Sequence, residues 1–225
     1  LLAERADGDH RPHVLVLTAT PIPRTIAMTV FGDLDTSVLD ERPPGRTPVT
    51  THVVPAAEKP HFLDRTWQRV REEAAAGNRV FVVCPRIGAD DPDDGDAGEL
   101  DDAEVVRAPS AAVSTLVEEL RSGPLADVPV GVLHGRLSAD EKDAAMTRFA
   151  RGQTPVLVST TVIEVGVDVA EATVMVVMDA DRFGVASLHQ LRGRVGRGER
   201  SSVCLLVTRA EAGTSARDRV EAVAA

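Results

Sequence analysis

The sequence predicts an α/β protein in which helices cover both faces of a doubly wound, mostly parallel sheet. Short runs rich in β-branched residues alternate with amphipathic stretches along the 225 residues. Such alternation requires crossover connections, which join parallel strands. The strand candidates are also apolar almost throughout, which indicates burial on both faces. With 43% hydrophobic residues, the chain can bury a full core.

The predicted strands and helices alternate along most of the chain. The strand candidates are residues 13–20, 49–54, 79–84, 128–135, 154–161, 172–179 and 201–208. The helix candidates are residues 23–31, 58–76, 109–122, 138–151, 185–193 and 214–223. Each strand candidate is therefore followed by a helix candidate, except where the chain runs directly from one strand to the next.

The segment RPPGRTP at 42–48 interrupts this pattern after the first strand and helix. Its three prolines and one glycine cannot continue a helix or a central strand. We therefore expect residues 1–41 to be the tail of a preceding domain, 42–48 to be a linker and 49–210 to form a second, complete domain.

Charge is distributed very unevenly along the chain. The formal net charge is −10, yet nine acidic residues fall within 90–104, and the rest of the chain carries only −1. A calcium site is the alternative, but the spacing does not fit an EF-hand and the closing glutamate is missing. We predict that 88–108 is an acidic, disordered surface insertion. From 182 to 219, by contrast, eight arginines face three acidic residues, so the C-terminal third is basic.

The cysteine content and hydropathy indicate a cytoplasmic protein. Cys84 and Cys204 lie far apart in strand-like runs without the paired spacing of a zinc or redox motif. They are expected to be buried free thiols in a reducing compartment. No run of about 18 apolar residues and no charged leader are present, so neither a membrane span nor secretion is predicted.

The run QLRGRVGR at 190–197 combines arginines and glycines behind a glutamine. The arginines are Arg192, Arg194 and Arg197, and the glycines are Gly193 and Gly196. A guanidinium offers a rigid fork of donors that fits phosphate oxygens. On the predicted helix, Gln190, Arg194 and Arg197 would share one face at i, i+4 and i+7, and the glycines would let a backbone or ligand approach closely. We predict a polyphosphate site here, with a solvated basic surface as the alternative.

Hydroxyl side chains follow two other strand candidates, at the strand ends where open α/β sheets bind ligands. Thr18 and Thr20 end the first strand and could sense a phosphate or its metal, although simple helix capping is the alternative. Thr160 and Thr161 end the strand at 154–161, and their hydroxyls suit a nucleic-acid phosphate. Gly166 and Asp168 follow that strand, and a carboxylate beyond a glycine suits a ribose hydroxyl.

The order TAT, VIEVGVD, QLRGRVGR resembles motifs III, V and VI of superfamily 2 helicases. More narrowly, TATPIPRTIAMTVFGDLDTSVLDERPPGRTPV, VGVLHGRLSADEKDAAMTRFARG and DRFGVASLHQLRGRVGRG resemble the RecG family of bacterial ATP-dependent DNA helicases. The resemblance covers nearly the whole chain except 88–108. The transcription-repair coupling factor shares TATPIPRT and LRGRVGR but differs over 32–49. It remains an alternative, as do a motor that remodels chromatin or polymerase and a non-catalytic nucleic-acid-binding module.

The resemblance implies a RecA-like fold and a motor that unwinds branched DNA, such as replication forks and Holliday junctions, in recombination and repair. Residues 1–41 would end the first RecA-like domain, 49–210 would be the second, and 211–225 would begin a truncated translocation hairpin. ATP with Mg²⁺ would be held mainly by the first domain, because this sequence has neither a GxxxxGK[ST] loop nor a DExH-type box. The chain alone is therefore expected to be inactive.

The resemblance also implies a role for each candidate residue. Arg197 would be the arginine finger, with Arg194 and Gln190 beside it on ATP. Gly166 and Asp168 would lie near the nucleotide, Asp168 on its ribose.

The remaining candidates concern DNA. Thr160, Thr161, His134 and Arg136 would contact the DNA backbone, although a core or capping role for His134 is an even alternative. Thr18 and Thr20 would couple the nucleotide state to DNA movement. The implied partners are branched double-stranded DNA, single-stranded DNA, the first RecA-like domain and the wedge domain of the same protein, and single-strand-binding protein. With one Trp, five Phe and no Tyr, few aromatic side chains can stack on bases. Contacts to phosphates, independent of sequence and sensitive to salt, are expected.

Overall fold

The computed structural model describes residues 47–85, 108–160, 169, 171–198 and 200–225, with the side chains of 108–112 excepted. All of them belong to a unit that runs from Arg42 to Ala225. The predicted elements at 13–20 and 23–31 and nearly all of the acidic segment 88–108 lie outside these ranges. None of the helices in the described part has the length and apolar character needed to cross a bilayer.

The described residues form a six-stranded sheet with the order β1-β6-β5-β2-β4-β3. The strands are β1 (Val49–Pro55), β2 (Arg79–Cys84), β3 (Val130–Leu133), β4 (Val156–Thr160), β5 (Ala172–Val177) and β6 (Ser202–Thr208). All the pairings between these strands are parallel. The predicted α/β class with a parallel sheet is therefore confirmed.

Five helices accompany the sheet in the described ranges. They are α1 (Pro60–Ala75), α2 (Ala108–Ser122), α3 (Ala139–Ala150), α4 (Val185–Arg192) and α5 (Ser215–Ala224), and a short 3₁₀ turn spans Ala180–Arg182. Helix α3 begins with a capping box: Ser138 Oγ accepts from the Glu141 amide at 3.3 Å, and the Glu141 carboxylate accepts from the Ser138 amide at 2.8 Å. Within these ranges, every predicted helix and strand is present with bounds that agree to within two residues.

Two hydrophobic clusters, one on each face, hold the layers together. Alternate residues of one strand enter different clusters: Met175 and Val177 of β5 pack with α3, α4 and α5, whereas Val174 and Val176 pack with α1 and α2. All four side chains are fully buried. Burial on both faces explains why the strands read as continuous apolar runs and not as alternating ones.

The parallel arrangement gives the sheet two chemically distinct edges. We call the edge that carries the strand starts, such as Val49, Arg79 and Ser202, the amino edge. We call the edge that carries the strand ends, such as Leu133 and Thr160, the carboxyl edge. The candidate site residues divide between the two.

Candidate functional site

Helix α4 ends before Arg194 and Arg197, the last two arginines of the run QLRGRVGR. The helix ends at Arg192 with Gly193 as its C-cap. The next two amides then bond three residues back, from Arg194 to Leu191 and from Val195 to Arg192, and Gly196 adopts φ +72°. A left-handed residue cannot continue a right-handed helix. The prediction that Gln190, Arg194 and Arg197 share one helical face is therefore wrong. Residues 193–201, which we call the arginine loop, carry the two arginines instead.

The arginine loop is anchored by its apolar residue and leaves polar side chains accessible. Val195 is fully buried in the core beneath it. Gln190, on the last turns of α4, is exposed, Arg194 is half-buried and Arg197 is exposed. Arg197 Nε donates to the Gly193 carbonyl at 3.3 Å, which closes the loop upon itself. The side chains of Gln190, Arg194 and Arg197 are therefore near one another in sequence, but they do not lie on one face of a helix.

Arg192, the first arginine of the run, has a different role. Its Nη1 donates to the Val223 carbonyl near the end of α5 at 3.1 Å, and its Nη2 lies 2.9 Å from His189 Nδ1. Burial lowers the pKa of His189, and the Arg192 charge lowers it further. A neutral imidazole can accept from the guanidinium. Arg192 thus joins α4 to α5 and is set apart from the proposed phosphate-binding arginines.

Of the two glycines in the run, only Gly196 is required by the local geometry. Its φ is +72°, and a Cβ built on it would lie 2.6 Å from Val49 Cγ2. A Cβ on Gly193 would meet the Gln190 carbonyl at 3.4 Å, which is ordinary contact. The close approach expected at these glycines thus occurs at Gly196, and the neighbour is the start of β1.

The far end of the arginine loop is held at the amino edge. The Arg200 carbonyl accepts from Thr47 Oγ1 at 3.2 Å and from Ser202 Oγ at 3.3 Å. The Arg200 guanidinium donates to Asn78 Oδ1, at the turn before β2. Neither Arg200 nor Asn78 is among the residues predicted from the sequence. The two lie 122 positions apart, and nothing local in the sequence predicts their contact.

The other predicted residues come together at the carboxyl edge. Thr160 is the last residue of β4, and His134 directly follows β3. In the β3–β4 pairing Leu133 lies opposite Ser159, so His134 is level with Thr160. Arg136, two residues further on, is exposed. Lys142, which the sequence analysis did not select, donates from Nζ to the Gly135 carbonyl at 3.2 Å and adds a second cation.

The burial of these carboxyl-edge residues differs. Thr160 is only 1% exposed, so its hydroxyl is covered in this conformation. His134 is half-buried, and its Nδ1 has no hydrogen-bond partner among the described residues. That atom therefore caps no described helix. Thr18, Thr20, Thr161, Gly166 and Asp168 lie outside the described residues.

Three further observations concern metal ligands, cysteines and aromatic side chains in the described residues. Across the described ranges, no group of three or more His, Cys, Asp or Glu side chains is arranged to hold a metal ion. Both cysteines are free and buried, as predicted. Among the described aromatic residues, Phe62 is 39% exposed, with Lys59 Nζ 5.3 Å from its ring centre, whereas Trp67, Phe81, Phe149 and Phe183 are buried.

This chain is similar in sequence to known helicases. The family model described as the helicase conserved C-terminal domain matches residues 104–199. The ATP-dependent DNA helicase RecG of Mycobacterium tuberculosis is 55% identical over 223 residues, which are 99% of this chain and 29% of that protein. The RecG of Escherichia coli is 43% identical over 93% of this chain and 28% of its own length.

A solved structure gives the same result for the fold. The structure of RecG bound to a three-way DNA junction matches with a TM-score of 0.69 and 40% identity, over 92% of this chain and 24% of that one. The chain thus spans less than a third of the length of the relatives it matches. These similarities show that the chain carries a helicase C-terminal domain of the RecG family.

Proposed function

We propose that this chain is part of an ATP-dependent DNA helicase or translocase that acts on branched DNA, such as replication forks and Holliday junctions, in the cytoplasm. The match to proteins named ATP-dependent DNA helicase RecG over 99% of the chain supports this proposal. So does the match to a RecG structure described as bound to a three-way DNA junction. The observation that carries the proposal is the exposed Arg197 on an anchored loop within such a chain.

In this proposal, Arg197 is the arginine finger of an ATP site that is completed by another domain. Negative charge spreads over the transferred phosphoryl group in the transition state, and a correctly placed guanidinium stabilises it. Arg194 and Gln190 contact the same phosphates, and Gly166 and Asp168 lie near the ribose. Magnesium and the β- and γ-phosphates are held mainly by the first RecA-like domain, since this sequence contains no GxxxxGK[ST] loop.

The test of the finger is Arg197→Ala in the full-length protein. We expect kcat for DNA-stimulated ATP hydrolysis to fall by roughly 10³-fold or more, as for other arginine fingers. The KM for ATP should change far less, because the finger acts chiefly in the transition state. Arg71→Ala, which removes an exposed arginine of α1, is the matched control. An Arg197→Ala protein with parental kcat would refute the assignment.

DNA contact is proposed at the carboxyl edge, through His134, Arg136 and the residues after β4. Cations there favour phosphate oxygens, and Lys142 lies beside them. Thr160 belongs to the same surface, but it is covered, so a contact from its hydroxyl requires the covering residues to move. Thr161 is proposed as a further phosphate contact. Arg136→Ala should weaken binding equally for different sequences and reduce the salt slope by about one. A change that depends on base sequence would contradict this.

The domain division is part of the same proposal. Residues 1–41, with Thr18 and Thr20 as coupling residues, belong to the first RecA-like domain, 42–48 to the linker and 49–210 to the second. Residues 211–225 begin a translocation hairpin, and their helix α5 places Val220 and Val223 in the core of the second domain. The first RecA-like domain, the wedge domain and single-strand-binding protein are the proposed protein partners.

A further inference from the structure

A buried polar network joins the end of α1 to the amino edge of the sheet. Glu73, in the last turn of α1, is only 9% exposed. One carboxylate oxygen accepts from Asn78 Nδ2 at 2.6 Å and from Thr173 Oγ1 at 2.6 Å. The other lies 2.7 Å from Arg69 Nη2. A buried charge is tolerated when it is paired and hydrogen-bonded in this way.

Asn78 connects Glu73 to the arginine loop through its side-chain amide. An ionised carboxylate only accepts hydrogen bonds, so the Asn78 amide must turn its NH₂ group toward Glu73. Its oxygen then faces the other way, where it accepts from Arg200 Nη1. The Asn78 backbone is held as well, because its amide donates to the Glu73 carbonyl at 2.9 Å. The acceptor presented to Arg200 is thus rigid and has a single orientation.

Arg200 and Gly196 are two fixed points of the loop, and Arg197 lies between them. Gly196 packs against Val49 so closely that a Cβ would not fit. Arg200 is held at its guanidinium by Asn78 and at its carbonyl by the hydroxyls of Thr47 and Ser202. A loop held on both sides of one residue restricts where the side chain of that residue can reach.

We propose that Glu73, Asn78 and Arg200 are positioning residues that set the place of Arg197 for ATP hydrolysis. The inference rests on the proposed function of Arg197. Arg200 is itself exposed, so its side chain could be solvated without the contact to Asn78. The contact therefore adds mainly orientation to the loop. None of the three residues needs to touch the nucleotide.

Such a role predicts a loss of rate more than a loss of binding. A shift of a transition-state group by about 1 Å can cost up to roughly 10²-fold in rate, whereas substrate held by other groups binds as before. A merely structural network would lower thermal stability and leave kcat of the folded enzyme unchanged.

The test uses the full-length helicase and DNA-stimulated ATP hydrolysis. We expect Asn78→Ala and Arg200→Ala each to lower kcat by roughly tenfold, with the KM for ATP little changed. The double variant should lose no more than either single variant, because both remove the same link. The control is Arg121→Ala, which removes an arginine bond to the Val130 carbonyl at the far side of the sheet and should keep the parental kcat.

Three outcomes would overturn the inference. In the first, Asn78→Ala and Arg200→Ala keep the parental kcat while Arg197→Ala loses it. In the second, the two losses multiply in the double variant. In the third, Arg121→Ala loses as much rate as they do. Parental kcat in Arg197→Ala would instead refute the proposed function itself. Thermal unfolding verifies that each variant is folded. Should Asn78→Ala not fold, the exposed Arg200→Ala decides the test alone.

Discussion

The geometry of Gly196 makes its replacement by alanine costly in two separable ways. The left-handed backbone conformation at φ +72° is unfavourable for an L-residue by about 1–2 kcal/mol. The added methyl would also lie 2.6 Å from Val49 Cγ2, and overpacking of this kind costs about 1–3 kcal/mol. We therefore expect Gly196→Ala to lower the free energy of unfolding by about 2–5 kcal/mol in total.

Denaturant unfolding of the chain measures this cost, with fluorescence of Trp67 as the signal. Trp67 is the only tryptophan and is 6% exposed. Gly193→Ala is the matched control, because its φ is −69° and its Cβ would make ordinary contact. Its free energy of unfolding should stay within about 0.5 kcal/mol of the parent.

Making Gly196→Ala in a Val49→Ala variant separates the backbone cost from the steric cost. In Val49→Ala the methyl that would collide with the new Cβ is absent, so only the backbone cost of about 1–2 kcal/mol should remain for Gly196→Ala. Equal effects of the two glycine substitutions would refute the argument from backbone conformation. An undiminished effect in the Val49→Ala background would refute the argument from close approach.

Three further predictions follow from the pKa shifts and the capping box. Because the pKa of His189 is lowered in the folded chain from its usual value of 6.5, protonation of His189 favours unfolding. The stability present above pH 6.5 is therefore lost as the pH falls through the folded pKa, and His189→Gln should remove that part of the pH dependence of unfolding. Burial raises the pKa of both Cys84 and Cys204 to about 12, so neither thiol should react with an alkylating reagent at pH 8 until the chain is denatured, and rapid native labelling would contradict their burial. Ser138→Ala should cost about 1 kcal/mol in thermal unfolding, because it removes the α3 cap, and an unchanged midpoint would count against that contribution.

Local patterns predicted most of the fold because the strands and helices depend on periodicity within short segments. The run at Arg79–Cys84 is apolar after its first residue and contains three valines, and it forms a strand with the predicted bounds. The joining of His134 and Thr160 at one edge was also predictable, since the ends of parallel strands meet there.

The arginine loop was less predictable, because its conformation depends on contacts that are distant in sequence. The turn at Gly196 is tied to Val49 of β1, and the far end of the loop is tied to Asn78. Local pattern alone extended the helical face past Arg192, because only Gly193 and Gly196 oppose a helix there and each costs only about 1 kcal/mol.

The two candidate sites lie at opposite edges of the sheet, which has a consequence for their ligands. Strand β2, with six residues, spans about 20 Å between the edges. One phosphate group therefore cannot contact both Arg197 and Arg136. The two arginines should then fail in different ways: at saturating DNA, Arg136→Ala should recover the parental kcat, because only DNA affinity is lost. Arg197→Ala should remain slow at every DNA concentration, and recovery of its rate by DNA would show that the arginine loop binds DNA and not ATP.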